Sequence, residues 1–132
     1  MDINQFNLAA PAEAGADVVI KHPVTGEDTD IVITIVGKDS ATYRNAAKRI
    51  AGEKLPESDD DKEKELTKRG AELLTSCIRG WSGLDDKDGK PIPFTTEFAI
   101  ELLSNQDFDS LAVQINAAIH DRTLYQKKSV KS

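Results

Sequence analysis

The stretch Asp85-Asp86-Lys87-Asp88-Gly89 sets three carboxylates beside a glycine, the composition of a calcium-binding loop. A hard cation needs oxygen ligands at fixed intervals, so the EF-hand spacing is the direct test. With Gly89 at the sixth position, Asp86 and Asp88 occupy the third and fifth. Leu84 then falls at the first and Thr95 at the twelfth, where a carboxylate and a bidentate glutamate are required. The signature fails. The same residues read as a turn whose carboxylates accept from backbone N–H groups while Gly89 takes a positive φ.

Other chemistry fares no better. His22 precedes Pro23 in a loop and His120 lies near a helix end, so neither is placed to serve a nucleophile. Cys77 is the only cysteine; it cannot form an intramolecular disulfide, and it sits in an apolar stripe as a small buried hydrophobe rather than a reactive thiol. There is no Cys/His zinc spacing and no glycine-rich phosphate loop. The expectation is a protein without catalytic, metal or cofactor-binding residues, in a reducing compartment.

The totals narrow the class further. The chain has 132 residues, 39% hydrophobic and 30% charged, which suits one domain whose helices carry wide solvated faces. Seventeen basic against twenty-three acidic residues give a net charge of −6, which disfavours phosphate backbones and anionic lipid. The N-terminus lacks a basic start and an apolar core, and no apolar run approaches the roughly 18–20 residues that span a bilayer. Neither nucleic acid nor a membrane is an expected partner, and no export signal is expected.

The elements that must position any site follow from periodicity. Residues 1–16 are rich in alanine and small polar groups and read as a flexible N-terminal segment, or as a short partner-binding segment acting through Phe6 and Leu8. Residues 17–125 read as a single domain. Val18-Val19-Ile20-Lys21-His22 and Ile31 to Val36 are β-branched runs around a Gly26-containing loop, an antiparallel hairpin with two largely apolar faces. A lone hairpin is marginal in water, so a third strand or helices must complete it.

After Gly37, Asp39 or Ser40 can cap a helix over about 41–54 with Tyr43, Ala46, Ala47 and Ile50 on its packing side. Pro56 ends it, and Ser58 or an aspartate of the acidic run can cap the next. Leu66, Gly70, Leu73, Leu74, Cys77, Ile78 and Trp81 then follow helical steps, which predicts a central core helix over about 62–79. The connection 79–94 contains the only tryptophan, with three glycines and two prolines that forbid continuous helix. It is read as a packed corner in which Trp81 completes the core stripe and Phe94 starts the next helix. Thr95 caps a short helix with Phe98, Leu102 and Leu103 inward, and a last helix over about 107–122 presents Phe108, Leu111, Ala112, Ile115 and Ile119. Leu124 and Tyr125 are read as further partner-binding groups, and residues 126–132 as a flexible basic tail. The fold class expected is α+β, mostly helical: an N-terminal antiparallel hairpin or small sheet followed by about four helices.

Two segments together carry a family resemblance. Lys21-His22-Pro23-Val24-Thr25-Gly26, followed by the run from Ile33 to Arg44, forms the first; Trp81, Gly83, Asp85, Gly89, Pro93 and Phe94, then Glu97, Leu102 and Leu103, form the second. Their order and spacing over about residues 18–122 resemble the tail assembly chaperones of lambda-like siphophages. Residues 1–16 and the acidic run at Asp59 to Asp61 are not part of the resemblance. It implies a non-enzymatic protein of virion morphogenesis, made in the cytoplasm of the infected host or lysogen and absent from the mature particle. Such a protein binds the long tape measure protein, keeps it soluble, and helps recruit tail tube subunits. Self-association, or pairing with a frameshifted longer form of the same protein, is also implied; Lys127-Lys128 is compatible with an A-rich slippery codon run. An alternative is a structural virion component such as a tail completion or connector protein. A third reading, an acidic mimic of nucleic acid, requires carboxylates along one face, whereas here they cluster in loops.

Overall fold

In chain order the computed structural model, which describes residues 1–126, has helix α1 (Ala9–Ala14), strands β1 (Ala16–Lys21) and β2 (Asp28–Ile35), helices α2 (Ala41–Ala51) and α3 (Asp59–Ser76), strand β3 (Ile78–Ser82), and helices α4 (Thr96–Ser104), α5 (Asp109–His120) and α6 (Arg122–Gln126). Single turns of 3-10 helix occupy Ile3–Phe6 and Gln106–Phe108. The class is α+β, with an N-terminal hairpin followed by helices.

The β-branched runs pair as their alternation requires. β1 and β2 are antiparallel with Val18 opposite Ile33, and β3 completes a three-stranded sheet in the order β1-β2-β3 with Trp81 opposite Ile33. Partners directly opposite one another share a face, so Val18, Ile33 and Trp81 point together toward the helices. Ile33 and Ile35 are fully buried there with Ile115 and Ile119 of α5. On the other face Thr34 Oγ1 donates to Asp17 Oδ1 at 2.7 Å, and Val19 remains exposed.

Helix ends fall where capping chemistry puts them. Ser40 Oγ accepts from Tyr43 N at 3.0 Å, Ser58 Oγ from Asp61 N at 3.4 Å, and Thr95 Oγ1 from Phe98 N at 3.1 Å. Such a cap contributes about 1 kcal/mol relative to alanine. The acidic first turn of α3, Asp59 to Asp61, lies at the positive end of that helix.

Three expectations are corrected. The central helix stops at Ser76, and Ile78 and Trp81 belong to β3. A β-branched residue and an aromatic at that point gain more by pairing with β2, which otherwise presents an open edge, than by another helical turn. Leu66 is 53% exposed and joins no core. The side of α3 turned inward carries Arg69, Ala71 and Thr75, with Leu73 and Leu74 half-buried, because α3 packs on α2 and α4 through small and hydrogen-bonded groups. Arg69 donates from Nε to Glu65 Oε2 at 3.0 Å and from its Nη groups to the backbone oxygens of Glu53 and Lys54, fastening α3 to the end of α2.

The third correction concerns the N-terminal segment, of which residues 9–16 are built into the fold. Ala12 is 2% exposed, and Glu13 accepts from Thr42 N and Thr42 Oγ1 and pairs with Arg79 at 2.6 Å. The segment carries its own polar partners, which composition does not reveal. α1 and α6 converge on Gly37: its N–H donates to Ala12 O at 3.0 Å, and a Cβ placed on it would lie 2.8 Å from the Tyr125 ring and 3.1 Å from Ala12 Cβ. α6 is held by a bidentate pair from Arg122 to Asp39 at 2.8 and 3.0 Å. Of the tail expected to be flexible, Gln126 ends α6 and the remainder lies outside the described residues.

Candidate partner-binding groove

The far end of β1 from Gly37 carries an apolar concavity. Its volume is about 290 Å³, and Ile20, Pro23, Ile31, Leu84, Phe108 and Leu111 supply its apolar walls. That is at the lower bound of small-molecule pockets, roughly 300–1,000 Å³, and suits one or two side chains of a partner.

Four segments build it. The β1–β2 loop is closed by His22 N donating to Glu27 O at 2.8 Å and Gly26 N to His22 O at 3.0 Å. His22 Nδ1 accepts from Val24 N and Thr25 N at 3.1 and 3.3 Å, so this histidine organises its own loop. Thr29 Oγ1 donates to Ile20 O at 2.6 Å and fixes the start of β2. Gln114 of α5 uses its side-chain amide as a peptide substitute: it donates to Lys21 O at 2.9 Å and accepts from Lys21 N at 2.8 Å, locking α5 to the edge of β1. Leu84 is delivered by the loop after β3, where Ile92 N donates to Leu84 O at 2.7 Å.

That loop is the turn which failed as a calcium site. Asp86 Oδ1 accepts from Asp88 N at 2.8 Å and Lys90 N at 3.0 Å, and Gly89 has φ +80°. The carboxylate satisfies backbone donors. Trp81 anchors the same corner, donating from Nε1 to Ile92 O at 2.8 Å and meeting Phe94 edge-on at a centroid distance of 4.9 Å. Trp81 and Phe94 are half-buried and pack against the core.

Lys21 and Asp107 both line the groove. Lys21 is neutralised by an ion pair with Asp28. Asp107 lines the groove; Asp30, Asp85 and Asp109 each sit next in sequence to a lining residue. All four are exposed, and among the described residues none of their carboxylates is paired with a cation.

The partner-binding residues read from sequence lie elsewhere. Phe6 is exposed on the first 3-10 turn, Leu8 is half-buried just before α1, and Leu124 packs against the core. Tyr125 is a correction: it is 6% exposed, and its hydroxyl donates to Ala118 O at 2.9 Å. Its ring fills the space that Gly37 leaves open, and burial pushes its pKa up. It holds α6 down and is not available to a partner. Groups from α1 and α6 meet at one end of the sheet, about 17 Å along β1 from the groove.

Elsewhere, Cys77 is fully buried, and that burial, with a smaller contribution from the Glu13 charge, pushes its thiol up to about 12, so it is unreactive near neutrality. Carboxylates of Glu53, Glu65 and Glu72 come within 4.8 Å of one another around Arg69. The Arg69 guanidinium pairs with Glu65 and Glu53, and Arg49 also reaches Glu53. Among the described residues no helix is long and apolar enough to cross a membrane.

Residues 38–131 match the model of the YdaY prophage protein family. The chain belongs to that family. It is therefore a protein of phage origin. The match begins just after Gly37 and covers the α2–α6 segment, including Leu84, Phe108 and Leu111 of the groove. No curated protein and no solved structure matches the chain.

Proposed function

We propose that this YdaY-family protein is a phage tail assembly chaperone, which binds the tape measure protein, keeps it soluble and helps recruit tail tube subunits. The observation that carries the reading is the groove: an apolar concavity sized for side chains, framed by rigid hydrogen bonding, on a body with a net charge of −6. A chaperone for an elongated helical client needs apolar contact that is small and reversible on a surface that does not itself aggregate. Phage origin and the resemblance of the hairpin and tryptophan-corner segments to siphophage tail chaperones support the same reading.

Co-expression with the tape measure protein of the same prophage is the test. The expected result is a soluble complex and a client that precipitates without this protein; unchanged client solubility with no complex overturns the reading. Mass spectrometry of purified virions separates it from a tail completion or connector protein, since a chaperone is absent from mature particles.

A further inference from the structure

The end of the sheet away from the groove is closed by two short helices, and neither can stand alone. α1 has six residues and α6 five, well under the length at which an isolated helix is stable in water. We infer that α1 and α6 form a latch, which undocks as one unit while the sheet and the other helices stay folded, and that its release opens the core at Cys77. This device is independent of the groove and of any client it holds.

The two helices pack on each other, and Ala12 of α1 and Tyr125 of α6 both close on the space that Gly37 leaves open, so each completes the seat of the other. α6 is separated from α5 by one residue in extended conformation, Asp121, which lets it swing away without unwinding α5. The fastenings to the body are in large part polar and near the surface. Arg122 donates to both Asp39 oxygens at 2.8 and 3.0 Å with its side chain 54% exposed, and Glu13 accepts from Thr42 and pairs with Arg79. Exposed pairs of this kind contribute little and weaken as salt screens them. Beneath the latch the core is continuous. Val36, next to Gly37, donates its N–H to Cys77 O at 2.9 Å, and Val36, Cys77 and Ile119 belong to one buried cluster against which Leu124 packs. Both helices also act on Cys77 through space: after burial itself, the Glu13 charge raises the thiol, and the Cys77 charge raises the Tyr125 hydroxyl. Cys77 joins α3 to β3, and both of these are held by helix packing and strand pairing, so the terminal helices are the more weakly held side.

Cys77 is the only cysteine, so alkylation of the full chain by iodoacetamide under native conditions reads the opening, and the neutral reagent keeps salt from acting on the collision itself. Labelling is expected to depend on urea far more weakly than global unfolding does. Asp39→Asn and Arg122→Gln should each speed it by about two- to fivefold at low salt. The double variant should be no faster than the faster single one, because both remove the same pair, and high salt should bring the parent up to the variants. Thr95→Ala removes the cap of α4, away from the latch; it should lower the melting temperature and leave the labelling rate unchanged. Amide exchange should give α1 and α6 a common opening free energy below the global value. Labelling that follows global unfolding in urea and quickens in Thr95→Ala, or that is indifferent to Asp39 and Arg122, overturns the inference. So does exchange in which α6 opens while α1 stays protected.

Discussion

At the scale of single residues, Trp81 shows how one side chain can serve the sheet, the corner and the core together. It faces Ile33 across β2, donates to Ile92 O and packs edge-on against Phe94 and Phe98. Because the ring is half-buried, Trp81→Ala should cost about 2–3 kcal/mol, below the ~3–5 kcal/mol typical of a fully buried aromatic. Thermal or urea melting measures this; no change would place the ring outside the core. Gly83, which follows β3, is constrained more tightly. It has φ +79°, and a Cβ there would stand 2.0 Å from Asp30 O, so only glycine lets the chain leave the sheet at that point. The turn at Asp86 and Gly89 was legible in the sequence, since its roles are local. The burial of Tyr125 was not, because nothing near it in the chain reports the missing side chain at Gly37.

Elements differ in how far their own sequence determines them. The hairpin, α2 and the start of α4 follow from alternation and capping residues, and the structure has them with boundaries shifted by a few residues. β3 was hidden inside a helical pattern: five residues are too few for period alone to separate strand from helix, and pairing with β2 decided the outcome. α1 has six residues, too short to be stable alone, and exists through its contacts. The groove was illegible for a related reason, since its apolar walls come from four separated segments, each with a plausible core assignment of its own.

Glu13 makes the dependence of α1 testable. Hydrogen bonding from Thr42, aided by the Arg79 charge, holds its carboxyl below the usual value despite some burial. A depressed folded value means the contribution is present above the ordinary glutamate pKa of about 4.3 and is lost as pH falls through the folded one. Its side chain is 37% exposed, so solvent limits the effect to about 0.5–1 kcal/mol. Glu13→Gln should lower stability by that amount at pH 7, and the difference from the parent should persist to about pH 5 and shrink only below the ordinary pKa of about 4.3, as pH falls through the lower folded value. Melts across pH 3–7 would show it; a constant offset would mean the carboxylate charge does not matter.

For the molecule as a whole, the sheet divides two roles. One end gathers α1, α6 and Gly37 and closes the fold; the other carries the groove, framed by Gln114 and the two loops. Gly37→Ala should therefore act on both terminal helices together. Either the Tyr125 ring or Ala12 must move by several tenths of an ångström, so amide exchange should rise in α1 and α6 alike while the groove loops keep their protection. Exchange rising in one helix alone would separate the two dockings.

The seating of α1 also sets an order of events during synthesis. Its partners are Thr42, Arg79 and, across Gly37, Tyr125, so α1 can be fully placed only after more than a hundred further residues have been made. At ~5–20 residues per second, that leaves α1 waiting for several seconds, with Ala12, which the fold buries, still uncovered. A chain stopped before α6 would keep the Thr42, Arg79 and Gly37 contacts of α1 but lack the Tyr125 ring that closes over Gly37.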